Sequence, residues 1–169
     1  MDTFFEQIVR IKKSVGTLAL VIFIWFLAIS LAVFFFMTSL LGPLSAIVII
    51  GILYGAWWLT TKFNVEYEYI VTNEDMDVDK IINKSARKRL ASITLSKVER
   101  VEKFNPALIQ NVKKECLLFA CDQNDPNAYL IVTSPDDSKV NYIVFSPNEK
   151  LQAAIKKSLP KFVANSAFK

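Results

Sequence analysis

Between Lys13 and Lys62 the chain runs for 48 residues without one charged side chain. About 20 apolar residues cross the hydrocarbon core of a bilayer, so this stretch has room for two crossings and a turn. Gly42-Pro43 lies near its midpoint, and proline cannot carry an incoming helix onward. The expectation is a transmembrane helical hairpin, with spans at about residues 17–41 and 44–61. A cleaved leader fits the first stretch poorly, because the apolar run is too long and a second follows directly.

Orientation follows from the basic residues that flank the spans. Arg10, Lys12 and Lys13 precede the first, Lys62 ends the second, and the connecting turn has no charge. Both termini are therefore expected in the cytoplasm, with Trp57 and Trp58 as an interfacial anchor. Gly51 and Gly55, four apart on the second span, allow close helix approach. Two readings stand for that pair: packing against the chain's own first helix, or contact with a second copy or another membrane protein. The spans hold no ionisable Asp, Glu, Lys or Arg, which leaves ion pumping without a candidate group.

What remains is a polar part of about 105 residues, a common domain size. The chain has no histidine, so imidazole acid–base relays and His-ligated metal sites are excluded. All four glycines lie before Lys62 (Gly16, Gly42, Gly51 and Gly55), so phosphate-cradling loops and the hydrolase nucleophile elbow cannot occur in the polar part. Cys116 and Cys121 are five apart in a stretch read as a strand, which sends them to opposite faces. They are expected as two buried reduced thiols in a reducing compartment. Without histidine they make neither a metal site nor an activated nucleophile. No cofactor is expected.

Past Lys62 the apolar period changes to alternation. Val65, Tyr67, Tyr69 and Val71 share one face of a strand, with Glu66 and Glu68 on the other. Thr72-Asn73-Glu74-Asp75 reads as a turn, and further strands fit residues 76–82, 89–95, 98–104, 115–121, 128–133 and 140–145. Residues 105–114 form the one longer connection, with room for a helical turn. Short polar loops at 123–127 and 134–138 join the later strands. Ser146-Pro147-Asn148-Glu149 matches a capping box with Ser146 as N-cap. Leu151, Ala154, Ile155 and Leu159 then follow at helical spacing until Pro160. The fold class is α+β: a membrane hairpin over residues 1–63, a seven-stranded antiparallel sheet folded into a barrel and capped by a C-terminal helix over 64–160, and a tail over 161–169.

The run Tyr69-Ile70-Val71-Thr72-Asn73, then Met76-Asp77-Val78-Asp79, Arg87-Lys88-Arg89 and Ile93-Thr94-Leu95-Ser96-Lys97-Val98-Glu99-Arg100-Val101, resembles bacterial pleckstrin-homology-like (PH-like) domains. More narrowly, the whole chain is similar to a family of small two-span bacterial membrane proteins of unknown function that share the Met1-Asp2-Thr3-Phe4 start. The resemblance implies a bacterial cytoplasmic membrane location and a PH-like fold; it implies no activity, because fold does not fix function. Phosphoinositide-binding members of the fold carry basic residues in the turn between the first two strands. Here that turn is acidic at Glu74 and Asp75, which argues against inositol-phosphate recognition there.

Charge is sorted along the polar part. Residues 66–79 carry six acids and no base, whereas residues 80–100 carry seven bases and the single acid Glu99. One reading pairs Asp77 and Asp79 with Arg87 and Arg89 across a hairpin, each exposed pair contributing about 0.2–1 kcal/mol. The other places Lys84, Arg87, Lys88 and Arg89 on an exposed basic tip that contacts anionic lipid or an acidic protein partner. Nucleic acid is not expected, since no aromatic residues interleave with these bases. Asp77 and Asp79 lack the pocket that a two-carboxylate hydrolase needs. The expected role is therefore non-enzymatic: a membrane-tethered binding or scaffolding module with a protein partner. Binding at an exposed strand edge is one route, as related domains take up extended peptides. The alternative is an accessory subunit of a larger membrane assembly, interacting through its helices, with homo-oligomerisation among the outcomes.

Overall fold

The structure is a computed structural model and describes residues 4–38, 41–122, 124–134 and 140–168. The Met1-Asp2-Thr3 start, residues 39–40 of the first expected span, Gln123, residues 135–138 of an expected loop and Lys169 lie outside the described residues. The chain divides into two compact units, Lys12–Val65 and the combination of Met1–Ile11 with Glu66–Lys169. The described residues before Lys12 belong with the larger unit.

The Lys12–Val65 unit is a helical hairpin. Helix α1 (Val15–Thr38) has 24 residues and spans about 36 Å at 1.5 Å per residue, enough for a bilayer core of about 30 Å. A 3-10 turn (Gly42–Leu44) leads into α2 (Ser45–Thr61). Gly42 sits at φ +54°, a left-handed conformation that glycine adopts without steric cost, and Pro43 follows it. Polar groups inside the helices are satisfied locally. Ser14 Oγ accepts from the Thr17 N–H at 3.2 Å, and Thr60 Oγ1 donates to the Ala56 carbonyl at 2.9 Å. Among the described helix residues only Ala28, Ala56 and Thr60 are buried, while Phe23, Phe26, Phe34, Phe36, Ile47 and Trp57 are exposed. The helical segments Val15–Thr38 and Gly42–Thr61 are each long and apolar enough to cross a membrane.

Among the described residues the larger unit holds eight strands in two four-stranded sheets, neither of them closed, which corrects the expected single seven-stranded antiparallel barrel. The first sheet runs β1 (Phe4–Arg10), β2 (Val65–Thr72), β3 (Asp75–Ile82), β4 (Ala86–Thr94) in that order. The second runs β5 (Val98–Lys103), β7 (Tyr129–Thr133), β8 (Tyr142–Phe145), β6 (Leu117–Phe119). A 3-10 turn at Leu95–Lys97 breaks the alternation and carries the chain from one sheet to the other. The β6–β8 pair is parallel, because the connection after β5 crosses the sheet before delivering β6.

Strand β1 has no clean period of two: Phe4 and Phe5 are adjacent apolar residues, as are Ile8 and Val9, and Gln7 stands between them. The structure resolves the conflict with a polar clamp. Phe5 and Val9 pack on the core, and Gln7 Nε2 donates to the Ser146 carbonyl at 3.0 Å. Gln7 Oε1 in turn accepts from the Asn148 N–H at 2.9 Å.

The sheets share one core with the C-terminal helices. Tyr69, Val71, Met76, Val78 and Ile93 of the first sheet and Val101, Ile131, Ile143 and Phe145 of the second meet Leu151, Ala154 and Ile155 of α3 (Glu149–Ser158). The N-cap of α3 is Asn148, whose side chain accepts from the Leu151 N–H at 2.8 Å; the expected cap, Ser146, instead offers its carbonyl to Gln7. The expected tail is structured, because α4 (Lys161–Ala164) buries Val163 and the following Ala167 in the same core. Tyr69 is fully buried at the centre. Its hydroxyl donates to the Ala120 carbonyl at 2.6 Å and accepts from the Ser146 N–H at 3.3 Å.

The two sheets differ in their outer faces. That of the second is covered: Cys121, Ala128, Leu130, Val132 and Val144 pack under Phe104, Leu108, Ile109, Leu117 and Phe119. The connection expected at 105–114 supplies Leu108 and Ile109 to this cover. On the first sheet, by contrast, the outer face carries charge, and there the candidate site lies.

Candidate binding surface

Strands β3 and β4 form an antiparallel hairpin whose register pairs Ile82 with Ala86, Ile81 with Arg87, Lys80 with Lys88 and Asp79 with Arg89. The turn runs through Asn83 and Lys84 at φ 51° and 57°, with the Ser85 N–H donating to the Ile82 carbonyl at 3.2 Å. Asn tolerates that conformation, whereas Lys84 is held in it by the hairpin closing on both sides. Asp77 and Asp79, two apart on β3, share a face, and a register irregularity between Val78 and Asp79 passes over Leu90 on β4, which brings Arg89 to that same face.

This geometry separates the four expected tip residues into two classes. Arg89 Nε donates to Asp79 Oδ1 at 2.9 Å, and its Nη1 lies 2.8 Å from Asp77 Oδ2. Asp79 raises the Arg89 pKa and holds the guanidinium in its charged form. Arg87 does not pair with either aspartate; its Nη1 lies 3.0 Å from Glu68 Oε2, across β3 on β2. Lys84 and Lys88, both exposed, have no ion pair among the described residues. Lys80, half-buried, has none either, although it stands directly opposite Lys88.

Glu68 is the residue that sequence reasoning missed. Its side chain is 0 % exposed while its partner Arg87 is 58 % exposed, and among the described residues no aligned donor reaches either of its oxygens. Burial raises its pKa, the Glu6 carboxyl and Asp79 add to the rise, and Arg87 opposes it. Glu68 alternates with core residues and so reads as a solvated outer position; only the neighbouring strands, with Ile8 opposite it, cover it. Alongside runs an open groove of about 710 Å³ lined by Ile8, Arg10, Glu66, Ile81, Lys84 and Arg87, in which Arg10 Nε lies 2.9 Å from Glu66 Oε1.

The cysteines are free, with Cys116 half-buried in a 3-10 turn before β6 and Cys121 buried beyond its end. Burial, with Asp125 and Asp122 nearby, pushes the Cys121 thiol up to about 12 and keeps it protonated. In the helical unit, Gly51 and Gly55 line the groove between α1 and α2 with Phe23, Leu27 and Ala28. A Cβ built at either glycine meets nothing within 4 Å. The helix approach is therefore not so close that it demands glycine.

No curated protein and no solved structure matches the chain. A family model described as Bacterial PH-like domain (DUF6106) matches residues 1–165. The two sheets, the capping helix and the N-terminal helices all fall within that match, and the chain belongs to this bacterial PH-like domain family.

Proposed function

We propose that the protein is a membrane-tethered, non-enzymatic binding module. In this reading α1 and α2 cross the bacterial cytoplasmic membrane as a hairpin, both termini are cytoplasmic, and the PH-like unit recruits a protein partner there. The observation that carries it is the contrast between two helices exposing phenylalanine, isoleucine and leucine on all sides and a unit with its own closed core. Exposed apolar surface on that scale is stable against lipid, not water. The basic residues Arg10, Lys12, Lys13 and Lys62 flank the helices, and Lys62 Nζ lies 3.3 Å from the centroid of the Trp58 ring, a pairing suited to a bilayer interface.

The test is cross-linking in the native host with a tag after Lys169, followed by mild-detergent capture and mass spectrometry. Wild type is compared with a Lys84→Gln, Lys88→Gln variant, which leaves the Arg87–Glu68 and Arg89–Asp79 pairs intact. A specific protein lost from the variant supports recruitment through the hairpin. A protein retained by both supports recruitment through another surface, and no specific protein in either overturns the reading.

The open space at Gly51 and Gly55 favours a second reading, in which the protein is an accessory subunit whose helices receive a partner helix. Gly51→Leu with Gly55→Leu would then dissolve a complex that the hairpin variant leaves whole.

A further inference from the structure

The strand edges of the larger unit are not alike. α3 packs against β1, whose Gln7 is bonded to Ser146 and Asn148; α4 packs against β5; β6 has three residues. Strand β4, with nine residues, is the other edge of the first sheet, and over residues 86–92 no described residue outside that sheet bonds to its backbone. Its first four residues, Ala86 to Arg89, are all exposed.

An open edge of this length is a template for another strand, and the charges on it select which. A second copy is disfavoured, because edge-to-edge pairing would set Arg87-Lys88-Arg89 against itself. The two faces of the edge also differ. On one, Arg87 and Arg89 are already matched by Glu68, Asp77 and Asp79. On the other, Lys80 and Lys88 stand opposite each other in register with no acid among the described residues to separate them, an arrangement that costs stability. A residue added opposite Lys88 on a fifth strand would extend that row, and a carboxylate there would relieve it.

We propose that β4 accepts an extended acidic segment of a partner protein as a fifth strand, with a carboxylate of that segment opposite Lys88. The inference rests on the binding-module reading and names its surface and the chemistry of its partner. The charges that deter self-pairing are the ones that admit an acidic strand.

The experiment uses the full chain in phosphatidylcholine nanodiscs and a fluorescent decapeptide alternating glutamate with valine. Binding is read by anisotropy, and backbone engagement by hydrogen exchange of residues 86–92. The expected result is saturable binding with slowed exchange along β4. Lys80→Glu with Lys88→Glu should weaken it by roughly tenfold or more, as a like-charge clash replaces a matched pair. A peptide with lysine at the glutamate positions should bind that variant and not wild type, which shows that the variant is folded. Binding without slowed β4 exchange overturns the strand addition, and binding indifferent to charge reversal overturns the role of the lysine row. If the peptide fails while phosphatidylglycerol nanodiscs slow β4 exchange, the edge faces the bilayer and the proposal is overturned. A cellular partner captured equally by wild type and the double Glu variant removes this inference and leaves the binding-module reading standing.

Discussion

The two units are both rich in apolar side chains but use them in opposite ways. In the PH-like unit Phe145 is 0 % exposed and packs edge-on to Tyr69, with ring centroids 5.7 Å apart; in the helical hairpin Phe34 is 53 % exposed. The first arrangement depends on shape, since a close-packed interior registers the loss of a single methylene. The second depends on apolar character and length, which many sequences satisfy. Polar groups follow the same division. Those of the hairpin bond within a turn of their own helix, as Thr60 does to Ala56, whereas Gln7 and Tyr69 bond to residues far away in the chain. The comparison teaches that identity is concentrated in one unit and composition in the other.

The sharpest way to break that comparison is to make one chemical change in both units. Phe145→Ala is expected to destabilise the PH-like unit by about 3–5 kcal/mol, from lost burial and the cavity left behind. Phe34→Ala, at an exposed position, should shift the helical hairpin by no more than about 0.5 kcal/mol. Hydrogen exchange against denaturant, on the full chain in mild detergent, reads the first through β7 and β8 amides and the second through α1 amides. Equal effects would mean that the hairpin is as shape-dependent as the sandwich.

A smaller effect is expected at Glu68, where the charged face meets burial. Its pKa is raised on folding, so the folded chain holds a proton that the unfolded chain has already lost. The stability from this group is fully present below the ordinary glutamate range and is lost as pH rises through the raised value. Glu68→Gln cannot ionise, so its stability should fall less than that of wild type from acid to neutral pH. Parallel denaturation profiles would show that Arg87 compensates the buried charge fully.

The smallest effect belongs to the hairpin glycines. Gly51→Ala and Gly55→Ala should each be accommodated, since a Cβ meets nothing within 4 Å, and should favour the helix by up to about 1 kcal/mol. Circular dichroism melting in detergent tests this, and a loss of helical stability would mean that the glycines are in close contact after all.

Much of the architecture is legible in the residues themselves. The uncharged run and Gly42-Pro43 announce two helices and a turn, observed as α1 at Val15–Thr38 and α2 at Ser45–Thr61. Alternation marks β2, β3 and β8, and the helical stripe of Leu151, Ala154 and Ile155 marks α3. Strand 115–121 shrinks to Leu117–Phe119, because Cys116 lies in a 3-10 turn and β6 meets a single neighbour. The basic composition of the β3–β4 hairpin is equally visible. Which of its charges are free is not, because that depends on the register and on a strand two positions away in the sheet.

The sequence by itself determined what is periodic and local: helix length, strand alternation, the acidic and basic blocks, and the absence of histidine and of glycine past Lys62. Tertiary structure alone decided the rest. It split the strands into two sheets, made β1 a strand through a clamp between Gln7 and Asn148 that are 141 positions apart, and buried Glu68 beneath its neighbours. It also set Lys80 opposite Lys88 while matching Arg87 and Arg89 to acids. The physical reason is that a backbone pattern repeats every two or 3.6 residues and can be read in a short window. A hydrogen bond, an ion pair or a buried carboxylate depends instead on which distant segment arrives beside it.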